Sequence, residues 1–145
     1  MTQADGPRLR ALVEKEGRRL HAVAPAEAAA VPAAGTWCRK EVLGHLLDSA
    51  FNNHQRFVRA QLTAPLSFPG YAQDDWVRCQ RYAAEEWQDL VTLWEAVNRH
   101  IAWVIEGIPA AALSAPVRIG EGDMVTLAAV VTDYLRHLEH HLAQI

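Results

Sequence analysis

The sequence predicts an all-α protein, a four-helix bundle, on three observations. Four long stretches repeat apolar residues with the period of a helix, no stretch sustains strand-like alternation, and one long polar link separates the second and third helical stretches. The chain has 145 residues, half of them hydrophobic and five of them tryptophan. That is the length of one domain, taken as residues 1–145, with enough apolar material for a packed core.

The first helix is expected over residues 7–23. Pro7 suits a helix start, and Leu9, Leu12, Val13, Leu20 and Val23 share a face. Pro25, Pro32 and Gly35 in "APAEAAAVPAAGT" then break the pattern. The second helix covers 39–63, with Leu43, Leu46, Leu47, Ala50, Phe57 and Val58 as its apolar face. Cys38 stands where a serine would complete a capping box with Glu41, so this cap is weakened.

The link "APLSFPGYAQDDW" follows, rich in Pro, Gly and Asp, with a short helix near 74–81. The third long helix spans 84–107, carrying Trp87, Leu90, Val91, Trp94, Val97, Ile101 and Ile105 on one side. Gly107 and Pro109 end it. "PVRIGEGDMV" is irregular, with at most a small hairpin of Val117–Ile119 and Met124–Val125 around Gly120–Gly122. Thr126 is a suitable N-cap for a last helix through about 144. A short loop between helices two and three would force them antiparallel, whereas this long crossover lets them run parallel. The order is then up-down-down-up, which sets helices two and four antiparallel.

The net charge of −3, with no basic stripe, speaks against a nucleic-acid or anionic-membrane partner. "MTQADGPRLR" lacks the apolar run of a signal peptide, and no segment has membrane-spanning length. Cys38 and Cys79 have no CxxC partner and read as reduced thiols of a cytoplasmic protein.

The stretch with the most chemistry is "DYLRHLEHHL", residues 133–142. His137 and His141 are one helical turn apart, so both rings reach one ion, and neutral imidazole suits zinc and nickel. Leu138 occupies the place where a zincin would need glutamate, so a third ligand must come from elsewhere. His45 lies roughly 9 Å from the start of helix two and His54 roughly 22 Å, while His141 and His137 lie roughly 6 and roughly 12 Å from the end of helix four. Antiparallel helices bring His45 level with the pair; parallel ones would bring His54. The topology above selects His45, with His54 left as a core or dimer-interface histidine holding a hydrogen bond.

His45, Ser49, Asn52 and Arg56 form a polar stripe whose plain reading is a solvated helix face. Asp48, one turn from His45, either orients a ring, acts as a base, or is simply a surface carboxylate, the last being the simpler expectation. Tyr71 and Trp76 on the crossover either line a pocket mouth or pack the connection onto the bundle. Tyr134 is either a core residue with its hydroxyl bonded or a pocket donor. Glu139 and His140 fall off the ligand face.

The runs "GTWCRKEVLGHLLDSAFNNHQRFVRAQL" (35–62), "FPGYAQDDWVRCQRY" (68–82) and "TLAAVVTDYLRHLEHHLAQI" (126–145) together resemble the DinB-like, or YfiT-like, superfamily of metal-dependent proteins. They occur in the right order and spacing from residue 35 onward, with Cys38-Arg39 where Ser-Pro often follows the tryptophan. The resemblance implies an up-down-down-up bundle, commonly a homodimer. It also implies a divalent metal, zinc or nickel, held by one histidine of helix two and an HxxxH pair of helix four; those positions are His45, His137 and His141. The better-understood members of that family are thiol-dependent transferases and isomerases using low-molecular-weight thiols such as mycothiol or bacillithiol. The implied activity is therefore a metal-dependent transferase or hydrolase acting on a small molecule, with a thiol cosubstrate in the first case. The rival readings are a non-catalytic metal-binding or stress-response module and a dimeric helical protein without a small-molecule role.

Overall fold

The computed structural model describes residues 2–145, with side chains from residue 4 on. Four long helices form the bundle: α1 (Thr2–His21), α3 (Arg39–Leu62), α5 (Trp87–Glu106) and α6 (Leu127–Leu142). Two short ones, α2 (Pro25–Ala29) and α4 (Gln73–Gln80), lie in the connections after α1 and α3.

Side-chain pairs fix the helix directions. Arg10 in the middle of α1 pairs with Glu106 at the end of α5, and His21 at the end of α1 bonds Gln88 near the start of α5. These two helices are antiparallel. Along α1 and α6 the partners advance together, Asp5 with Thr132, Arg8 with Glu139, Arg19 with the Leu142 carbonyl, so α1 and α6 are parallel. Along α3 and α6 they run in opposite order, His45 against His137 but Phe57 against Tyr134. It follows that α3 and α5 both point down while α1 and α6 both point up. The expected up-down-down-up order holds, and residues 63–86 are the crossover that permits it.

The core lies between the four long helices. Leu43, Leu46, Leu47 and Phe57 of α3 meet Leu90, Trp94 and Ile101 of α5 and Leu127, Leu135 and Leu138 of α6, all fully buried. Each such side chain contributes about 1.5–3 kcal/mol by leaving water. Trp87, at the first position of α5, adds a hydrogen bond from its indole to the Leu20 carbonyl (2.8 Å). The stripe Trp87, Trp94 and Ile101 is therefore core.

Four local expectations change. The first helix begins at Thr2, with Pro7 inside it rather than at its start. Buried Asp5 accepts a bond from the Thr132 hydroxyl (3.1 Å), a tertiary contact that holds the first turn against α6. The break after α1 contains α2, whose first residue is Pro25, where a missing N–H costs nothing. Cys38 caps α3 after all, with Glu41 reaching back to accept from its backbone N–H (3.1 Å). Finally, the expected hairpin forms as β2 (Pro116–Ile119) against β3 (Val125–Thr126), but a third strand, β1 (Leu66–Phe68), joins β2 in parallel. Leu66 pairs with Val117 and Phe68 with Ile119, which anchors the crossover beside the N-terminus of α6. No helix among the described residues is long and apolar enough to cross a membrane.

Candidate metal centre

The centre is built where the second turn of α3 passes the last two turns of α6. His45 is fully buried, and His137 and His141 stand half-buried on successive turns opposite it. One ring nitrogen from each lies within 4.8 Å of the other two. The His45 and His137 Nε2 atoms are 3.2 Å apart. The ring centroids are separated by 5.0 Å (His45–His137), 4.7 Å (His45–His141) and 4.5 Å (His137–His141). The tilted Trp37 ring, 5.1 Å from that of His45, packs beside the cluster.

This donor set fits a divalent metal. Zinc–imidazole bonds of about 2.0–2.1 Å at tetrahedral angles put neighbouring nitrogens about 3.3 Å apart, which the His45–His137 pair meets at 3.2 Å. Burial, then the positive charge of neighbouring histidines, lowers the pKa of His45 to about 4, and the same causes lower His137 to about 4. Both rings are therefore neutral at pH 7, with lone pairs to offer. His141 Nδ1 lies 2.8 Å from the Gln144 side-chain oxygen. A proton held there leaves the His141 Nε2 lone pair free, the usual outer-shell arrangement of a ligating histidine. His45 Nδ1 is buried without a partner.

The helix-direction argument thus brings together the three histidines it selects. His54 lies elsewhere, its ring 5.3 Å from that of His100 on α5, and it has no hydrogen bond among the described residues. His140 is exposed, and Glu139 pairs with Arg8 (2.7 Å).

Asp48 is not a surface carboxylate. It is buried, and its Oδ1 accepts from the Tyr82 hydroxyl and from Gln80 Nε2, each at 2.7 Å, with Oδ2 unpartnered. Burial raises its pKa against the opposing pull of those two bonds. Both partners come from the crossover, so Asp48 fastens α4 and the following turn to α3 and makes no bond to His45. Tyr82 was absent from the sequence expectations, and one signal for it existed. Gly44 sits within α3 just before His45, and a Cβ there would lie 2.1 Å from the Tyr82 ring. A glycine in a helix interior marks such a close approach.

Beside the cluster opens a cleft of about 570 Å³, within the range of small-molecule sites. His137 forms part of its wall, so the cluster adjoins it. Tyr71 and Tyr134 line it too. Tyr134 is a core residue whose buried hydroxyl donates to Asn98, the first of the two expectations for it, while another part of its surface lines the cleft. Trp76 is 38% exposed and reaches the cleft only through Tyr71, whose ring lies 4.9 Å away. The stripe Ser49, Asn52 and Arg56, expected in water, is buried by the crossover and the small sheet.

A family model described as the DinB superfamily matches residues 11–145. No curated protein matches the chain in sequence. Among solved structures, the fold is similar to that of YfiT from Bacillus subtilis, described as a probable metal-dependent hydrolase with an unusual four-helix bundle topology. The TM-score is 0.86 at 16% identity, covering 99% of this chain and 83% of that one. It is also similar to a mycothiol-dependent maleylpyruvate isomerase, with a TM-score of 0.74 at 16% identity. That match covers 99% of this chain but spans only 60% of the isomerase. At this identity the likeness is one of fold.

Proposed function

The chain belongs to the DinB superfamily, and on that premise we propose that it is a metal-dependent enzyme acting on a small molecule held in the cleft beside His137. The observation that carries this is the convergence of three imidazoles, from α3 and α6, at the edge of a cleft of substrate size. His45, His137 and His141 are the ligands in this reading, and zinc or nickel the metal. Three uncharged ligands leave a bound divalent cation its full charge and an open position, which supplies the Lewis acidity that holds a thiol as thiolate or acidifies water.

The chain's own residues favour the thiol route. No carboxylate belongs to the cluster among the described residues, and Asp48 is tied to Tyr82 and Gln80. The carboxylate nearest the centre in the cleft wall, Asp133, is held by Arg136 (2.7 Å), which leaves it poorly placed as a general base for hydrolysis, whereas a thiolate attacks an electrophile without one. His137 presents the reacting partner to the cleft, Tyr71 and Tyr134 shape its walls, and Trp37 packs against His45. A low-molecular-weight thiol is the cosubstrate. The second reading is metal-dependent hydrolysis, in line with the description of YfiT. A homodimer and a cytoplasmic location belong to the same proposal. Trp103, 68% exposed on α5, is the side chain most suited to a partner surface, and both cysteines are free thiols.

The test is turnover of model electrophiles by zinc- or nickel-loaded, tag-free protein with a panel of thiols that includes mycothiol and bacillithiol. Thiol-dependent turnover, lost in His137→Ala, is expected. Turnover without thiol would select the hydrolase, and no turnover of either kind with metal bound would overturn the enzyme reading.

A further inference from the structure

Arg56 is the one member of the α3 stripe with a formal charge, and the metal centre gives it no role. It is only 7% exposed, yet among the described residues it forms no ion pair. Among the described residues its guanidinium makes one hydrogen bond, a long one from Nη1 to the Asn53 side-chain oxygen (3.4 Å), and its Nε is buried without a partner. A guanidinium carries five in-plane N–H donors, and burying such a cation unpaired is costly. Phe68 of β1 offsets part of this cost, its ring lying 5.3 Å from the guanidinium carbon. Stacking of that kind occupies a face of the plane and leaves its edges free, and the cleft that reaches His137 is lined by Arg56.

We propose that Arg56 anchors the carboxylate end of the substrate, in the same cleft whose other end is the histidine cluster. This rests on the enzyme reading above and names the class of molecule it acts on. The free edge of a guanidinium matches a carboxylate through two parallel N–H···O bonds. Asn53 and the Tyr71 hydroxyl stand in the same wall as further polar groups. The anion is a monoanion rather than a phosphate dianion, because Asp133 lines the same cleft and Arg56 is its single unpaired cation.

Spacing sets the shape of the substrate. Arg56 follows His45 by three turns, a rise of about 16 Å, and helical side chains lean toward the N-terminus, here toward His45. Arg56 and His137 line one cleft, so the substrate is an elongated molecule with its carboxylate remote from the reacting end. The apolar part of the cleft wall includes Ile119, Val125 and Val130.

The experiment compares binding of ω-phenylalkanoates of increasing chain length with binding of their uncharged carboxamides, by calorimetry at pH 7. Metal-free protein is used, so that no carboxylate is held by a metal. The expected result is a preference of about ten-fold or more for acid over amide. The preference persists in His141→Ala, is abolished in Arg56→Met and survives in part in Arg56→Lys. Equal affinity for acid and amide, or no saturable binding of either, overturns the proposal whether or not the variants fold. So does tighter binding of phenyl phosphate than of the acids. A preference found only for ω-mercaptoalkanoates on zinc-loaded protein would assign the carboxylate to the thiol and overturn the substrate assignment. Because the acid preference is read without metal, its loss leaves the enzyme reading standing, and failure of turnover leaves the anion site standing.

Discussion

His54 and His100 face one another across α3 and α5 with ring centroids 5.3 Å apart, much as His45 faces His137 across α3 and α6 at 5.0 Å. Burial comes first and a neighbouring histidine second in lowering the pKa of His54, as they do for His45. The two sites differ in what the facing helix offers. α6 presents two histidines one turn apart, so three nitrogens converge; α5 presents one, and His54 and His100 belong to no cluster of three metal-binding groups among the described residues. Only the first site borders the cleft. His54 is half-buried and His100 exposed, so their ring contact is an ordinary one between helix faces; a third donor with a cavity beside it is what makes a candidate reaction centre.

The largest expected effect separates the two sites by metal binding. Zinc at about 100 times its dissociation constant stabilises the protein by about 2.7 kcal/mol, which raises Tm by roughly 5–10 °C. Thermal melts of wild type should show the rise, His45→Ala and His141→Ala should lose it, and His54→Ala should keep it. Loss in His54→Ala would erase the distinction.

The fold was legible in the sequence where its cause is local. The 3.6-residue period marked the four long helices, and the long crossover gave the helix directions that picked His45 over His54. What stayed hidden depends on partners far along the chain. β1 is three residues long and exists through pairing with β2, about fifty positions later. Asp48 and Arg56 looked like surface residues because Tyr82, Gln80 and Phe68, which cover or bond them, come from a segment read as an open link. Gly44 was the local trace of that covering.

A pH titration gives an effect of comparable size. The ordinary pKa of His45 is 6.5, and in the folded protein it is lowered to about 4. Between those values the unfolded chain binds a proton that the folded one excludes. The stability of metal-free protein therefore falls as pH drops from about 6.5 to about 4, and is level above that window; the share of His45 is on the order of 3 kcal/mol. Melts across this range should show a shallower slope in His45→Gln than in His54→Gln. Equal slopes would contradict the stronger burial assigned to His45.

Gly44→Ala should cost about 1–3 kcal/mol in urea unfolding, because its Cβ collides with the Tyr82 ring that bonds Asp48. Gly107→Ala, whose Cβ meets nothing nearer than 3.6 Å, should stay within about 0.5 kcal/mol of wild type. A smaller effect than that of Gly44→Ala is expected from Thr126→Ala. It removes the cap bond to the Ala129 N–H (3.1 Å) at the end of α6 away from His137 and His141. Stability should fall by about 1 kcal/mol with zinc affinity unchanged.

Elemental analysis of tag-free protein, purified in parallel as wild type, His45→Ala, His141→Ala and His54→Ala, tests the central assignment most directly. The account predicts near-stoichiometric zinc or nickel in wild type and His54→Ala and loss of it in the other two. Metal retained in full by His45→Ala and His141→Ala would contradict it.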